Sequence, residues 1–92
     1  MFEWDEAKRE ANLVKHGVDF ADAVEVFADP LRIERIDKRR AYREERHQVI
    51  GRVGEQEVFV VYTLRGEARR LISARKASSD ERRAYLEGHA ER

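Results

Sequence analysis

Residues 57–64, EVFVVYTL, constrain the fold more than any other stretch of this chain. Val58, Phe59, Val60, Val61 and Tyr62 are β-branched or aromatic, the residue types that suit a strand. They follow one another without polar alternation, so the strand carries apolar groups on both faces. That pattern belongs to a central strand covered on both sides. It needs strand neighbours left and right, and the rest of the chain must supply them. With 92 residues the chain is expected to form a single domain over 1–92.

The neighbours are legible nearby. Residues 31–36 (LRIERI) and 46–53 (RHQVIGRV) read as strands before the central one, and 68–76 (ARRLISARK) as one after it. Gly54-Glu55 and Arg65-Gly66-Glu67 supply tight turns. Residues 38–45 (KRRAYREE) form a charged loop. The short links predict an antiparallel meander.

Helical spacing dominates the first thirty residues. Asp5 is the N-cap of a helix carrying Ala7, Ala11 and Val14, and Gly17 can take the left-handed position that ends it. Asp19 caps a second helix in which Phe20, Ala23, Val24 and Phe27 recur on one face. Asp29-Pro30 stops it, because a residue before proline avoids the helical region. Ser78 and Glu81 form a capping box for a last helix over about 79–88, ended by Gly88 and followed by a fraying tail. The predicted class is α+β, in the order α-α-β-β-β-β-α. Two N-terminal helices, a four-stranded antiparallel sheet and a C-terminal helix form it, with the helices on one side of the sheet.

Charge is unevenly distributed along this order. Residues 1–30 hold three Lys/Arg against eight Asp/Glu, a net of −5. Residues 31–76 hold thirteen against seven, a net of +6, and residues 77–92 hold three against four, a net of −1. A basic middle between acidic flanks bears on what the chain can partner; the plainer reading is that many of these charges simply solvate a small domain. The chain has no cysteine, which excludes a disulfide scaffold, a Cys-based zinc site and a cysteine nucleophile. That suits a reducing cytoplasm. No apolar run approaches the roughly 20 residues of a membrane span, and the acidic start MFEWDEAKRE is not a signal peptide. There is no Walker loop or GxGxxG. His16, His47 and His89 lack ligand spacing, so neither a metal nor another cofactor is expected.

What remains is a set of cations on the basic strands: Arg46, His47, Arg65, Arg69, Arg70, Arg75 and Lys76, with Glu44, Glu45 and Tyr62 among them. Arginine presents a planar fork to phosphate, and an aromatic ring can stack on an unpaired base. Metal-free RNA cleavage needs a base for the 2′-hydroxyl, a cation for the phosphorane and an acid for the leaving 5′-oxygen. Each member also has a plainer reading. His47 could be an ordinary strand residue, Tyr62 a core residue and Arg46 a cross-strand ion-pair member. Arg75 could pair with a carboxylate such as Glu25. His16 is read as part of a helix end.

Motifs over residues 2–86 resemble the BrnT-type toxins of bacterial type II toxin–antitoxin pairs. They are Trp4-Asp5, Lys8, Asn12, Lys15-His16-Gly17-Val18, Phe20, Ala23 and Phe27-x-Asp29-Pro30, then Glu45-Arg46, Gly51-Arg52 and Val60-Val61-Tyr62-Thr63. Ile72-Ser73-Ala74-Arg75-Lys76-Ala77, Glu81-Arg82 and Tyr85 complete the pattern. Two positions depart from it: Arg43 stands where the family usually has glycine, and His47 where it has an apolar or aromatic residue.

The resemblance implies a fold similar to RelE-like ribonucleases and an endoribonuclease that cleaves RNA and stops translation. It also implies a cognate ribbon-helix-helix antitoxin, operator DNA reached only through that antitoxin, and a toxin dimer within the complex. It directs the catalytic expectation to Arg46, Arg65, Arg75 and Lys76, with Glu45 as base, and does not endorse His47. The residues themselves keep His47 as a second proton-transfer candidate and offer Arg69, Arg70 and Tyr62 for binding RNA. The competing expectation is a non-catalytic RNA-binding or protein-interaction module.

Overall fold

The computed structural model describes every residue except Arg40, Tyr42, Glu91 and Arg92, and at His89 and Ala90 the backbone alone. Arg40 and Tyr42 of the charged loop, and the end of the tail, therefore lie outside the described residues.

The caps of the first two helices fall where the sequence puts them, whereas the expected stop at Gly88 does not. Asp5 is extended and its carboxylate accepts from the Lys8 N–H at 3.1 Å, starting α1 (Glu6–His16). Gly17, at φ 72°, ends it by donating to the Leu13 carbonyl. Asp19 accepts from the Ala21 N–H and starts α2 (Phe20–Ala23). The second helix does not run on as an α-helix to residue 28. It tightens into a 3-10 segment over Val24–Ala28. Three residues per turn align Val24 with Phe27, and both pack against the core beneath. The last helix, α3 (Ser79–Ala90), continues past Gly88.

Four strands appear near their expected bounds: β2 (Ile33–Ile36), β3 (Arg46–Val53), β4 (Gln56–Arg65) and β5 (Ala68–Lys76). The expectation of a purely antiparallel four-stranded sheet is corrected by a fifth strand, β1 (Phe2–Glu3). It pairs parallel with β5, Phe2 opposite Arg69 and Glu3 opposite Arg70. The sheet is mixed, in the order β1-β5-β4-β3-β2, with β4 central. A two-residue strand has no periodicity to read, and only the fold brings it to the β5 edge.

The helices occupy both faces, not one. Directly paired residues share a face and alternate residues change face. Val49, Val58, Val60, Tyr62, Leu71 and Ala74 point to the side packed by Phe20, Ala23 and Val26. Ile50, Phe59 and Val61 point to the other side, against Tyr85 of α3. This is the physical content of the unalternated central strand: each of its faces has its own helical cover.

Two polar devices fasten the layers. The Asn12 amide donates to the Val18 and Ala74 carbonyls at 3.0 and 2.7 Å and accepts from the Ala74 N–H at 3.1 Å. It joins α1 to β5 beside a register shift at Val61/Tyr62. Asp29, after the 3-10 segment, accepts from the Leu31 and Arg52 N–H groups and from the Tyr85 hydroxyl. One carboxylate thus ties the helical half, β3 and α3 together.

Candidate nucleic-acid interface

Most of the cationic residues gather at one end of the sheet, where β3 and β5 begin and β4 finishes. Arg46, Thr63 and Arg70 form one row across three strands, and Arg65 lies two residues beyond Thr63 on the same face. Arg35 is on this face too, opposite Gln48, to which its Nε donates at 2.7 Å. This is the α3 face. Several of these cations already face carboxylates: Arg70 pairs with Glu3 at 2.7 Å and Arg65 approaches Glu44 at 3.8 Å.

The opposite face of the same end carries a different set. His47 is paired with Tyr62 and flanked by Ile36. Its ring stacks on the Tyr62 ring, centroids 5.2 Å apart and planes 19° off parallel. Its Nε2 lies 3.3 Å from a Glu45 carboxylate oxygen. Arg69 places its guanidinium over Phe27 at 4.5 Å and over Tyr62 at 5.9 Å. Among the described residues Arg69 makes no direct ion pair. The partly covered Phe2 and Phe27 rings lie 5.2 Å apart behind it.

Tyr62 is only 4% exposed. Phe27 meets its ring edge-on at 5.0 Å, so its faces are occupied and it backs the site from within. Its hydroxyl donates to Glu34 on β2. Burial first, and then that hydrogen bond, push the phenol up to about 12. For Glu34, burial works upward, but the hydrogen bonds from Tyr62 and Arg32 outweigh it and hold the carboxyl below its ordinary range.

Two expected members sit elsewhere. Arg75 pairs with Phe59 and Lys76 with Val58, near the start of β4. Arg75 is five residues along β5 from Arg70, about 16 Å at strand spacing. Its guanidinium grips both carboxylate oxygens of Glu81 at 2.7 and 2.8 Å and lies 4.3 Å over the Phe59 ring. It pairs with α3 rather than with Glu25. Lys76 is exposed on the helical face. The nine residues singled out from sequence are thus divided among two faces and two ends. Sequence reading also missed Glu34, which is one charge among many in an IERI strand, and the N-terminal strand that flanks Arg69 and Arg70. Among the described residues, no group of three or more His, Asp and Glu is gathered in a way that could hold a metal ion.

A mixed five-stranded sheet with helices on both faces defines a small α+β domain, and one end of its sheet presents arginines and a histidine–glutamate pair. The family model described as ribonuclease toxin, BrnT, of type II toxin-antitoxin system matches residues 4–81, and the chain belongs to that family. No curated protein sequence matches it. Among the described residues no helix is long and apolar enough to cross a membrane.

Proposed function

We propose that this chain is a metal-independent endoribonuclease toxin whose active site is the end of the sheet carrying Glu45, His47 and Arg69. The observation that carries the reading is the Glu45–His47 pair, 3.3 Å apart, beside a guanidinium with no direct ion pair. Glu45 takes the proton of a ribose 2′-hydroxyl as its oxygen bonds to phosphorus. His47 gives a proton to the 5′-oxygen as the P–O5′ bond breaks. The products are a 2′,3′-cyclic phosphate and a free 5′-hydroxyl. An imidazole can exchange protons near neutral pH, and Arg69 offsets charge developing on the phosphorane. Arg46, Arg65 and Arg70, across the strand end, hold flanking phosphates. Tyr62 supports His47 from below, and Arg75 and Lys76 lie outside the constellation.

Cleavage of RNA by this site stops translation in the bacterial cytoplasm. A cognate ribbon-helix-helix antitoxin neutralises it by laying an acidic or apolar segment on the sheet end, and operator DNA is reached only through that partner. Two toxins within the complex are bridged by antitoxin.

The test is a gel assay on single-stranded RNA with EDTA present. The parent chain cuts, and His47→Ala and Arg69→Ala each lose about a hundredfold or more in rate. Parent-level cutting by His47→Ala removes it from the mechanism. RNA binding without cleavage selects the second reading, a non-catalytic RNA-binding or protein-interaction module. The carboxylates already paired with Arg65 and Arg70 favour the protein-interaction form of that alternative.

A further inference from the structure

Glu34 is a charged group of this end that neither proton transfer nor phosphate binding employs. It sits on the edge strand, and its two oxygens are held from different sides. Oε1 accepts from the Tyr62 hydroxyl, and Oε2 takes the Arg32 Nε at 2.9 Å. A buried tyrosine hydroxyl ordinarily finds a partner, and a neutral carbonyl would satisfy it. Here the partner is an ionised carboxylate fixed by its own arginine, and the ring it holds is the one on which His47 lies. Phe27 packs at right angles to that ring, and Arg69 leans over it. The phenol therefore cannot turn without moving both the imidazole and the guanidinium.

We propose that Glu34 is a positioning residue: through the Tyr62 hydroxyl it holds the ring that sets His47 against Glu45 and carries Arg69. The proposal rests on reading Glu45 and His47 as the proton-transfer pair. The titratable and charged groups around His47 come from every neighbouring strand. They are Glu45 preceding β3, Glu34 on β2, Tyr62 on β4 and Arg69 on β5.

Two variants separate charge from support. Glu34→Gln keeps an acceptor for the hydroxyl and removes the charge. Tyr62→Phe keeps the ring and removes the hydroxyl. Both are measured for RNA cleavage, for kcat and KM separately, and for the His47 ring-proton signals by NMR, which read its stacking on Tyr62. Both are expected to lower kcat about tenfold to a hundredfold with little change in KM, as misplaced reacting groups do, and to displace those signals. Parent-like kcat and unmoved ring signals in both variants overturn the proposal, and so does a rise in KM at unchanged kcat. If the parent chain itself cuts no RNA, the nuclease reading fails separately. The ring signals then decide alone, displaced signals supporting the positioning role and unmoved ones ending it.

Discussion

Asn12 shows how one side chain can hold an interface. It satisfies both backbone groups of Ala74 as well as the Val18 carbonyl, and it is 7% exposed. Asn12→Ala leaves a buried N–H and C=O without their partner, each costing about 1–3 kcal/mol. The expected loss, read by urea unfolding, is about 2–4 kcal/mol; a loss below about 0.5 kcal/mol, the size of an ordinary surface change, would contradict the role given to it. Gly51 is the second case. A Cβ there would stand 2.9 Å from the Val26 carbonyl and 3.0 Å from its Cβ. The obstruction is backbone of the packed 3-10 segment, which cannot swing aside. Gly51→Ala should cost about 1–3 kcal/mol by forcing the helical layer off the sheet. Both residues are visible in the motifs of the sequence. Their roles are not, because each partner is remote along the chain: Asn12 and Ala74 are 62 residues apart.

At the scale of elements, a hydroxyl and an ion pair fasten α3 beyond its apolar packing on the sheet. Arg75 grips Glu81, and the Glu81 carboxylate also accepts from the Ser78 N–H at its helix start. Burial opposes ionisation of Glu81, but Arg75 and Ser78 prevail and lower its pKa from 4.5. A lowered carboxylate contributes stability above its unfolded pKa and loses it as pH falls through the folded one. Acid should therefore weaken the parent below about pH 4. Glu81→Gln should flatten that limb, as thermal melts across pH would show. The opposite sign applies to Tyr85, which burial and then Asp29 push up to about 12. Its contribution is complete below about pH 10 and fades as pH rises toward 12. Tyr85→Phe should lose that alkaline dependence. The β2 edge is guarded by its own charges. Pairing with a second copy across a two-fold axis brings same-face residues opposite. The two registers that overlap most of Ile33–Ile36 then set Glu34 against Glu34 or Arg35 against Arg35. Like charges directly opposite are unfavourable, so the free chain should run as a monomer in size-exclusion chromatography.

For the whole molecule, zero net charge conceals a spatial division. The acidic N-terminal half covers one face, and arginines crowd the strand end. RNA binding should therefore weaken with salt, and Arg46→Ala, Arg65→Ala and Arg70→Ala should each reduce the log–log slope by about 0.7 for a single strand. An unchanged slope would take that arginine off the RNA path. A bound antitoxin stabilises only the folded toxin. Saturating it at a hundred times Kd should add about 2.7 kcal/mol and raise Tm accordingly; a Tm unaffected by the partner would remove the proposed cover from the sheet end.

Helix caps, turns and four of the strands were legible from residues alone, because capping, tight turns and apolar runs are local physics. Asp5, Gly17, Asp19 and Ser78 do in the fold what their neighbours along the chain dictate. The unalternated EVFVVYTL run also located the centre of the sheet. The face and the end of each charge were decided only by the tertiary structure. Strand alternation puts His47 and Arg46 on opposite sides, and strand length carries Arg75 away from Arg70. Arg75 looked like a phosphate ligand because sequence records its charge but not Glu81 beside it. Glu34 drew no notice in the sequence because the Tyr62 hydroxyl that it holds lies 28 residues away. Local conformation is written in neighbouring residues, whereas a site is a meeting of distant ones, and packing alone sets which of them meet.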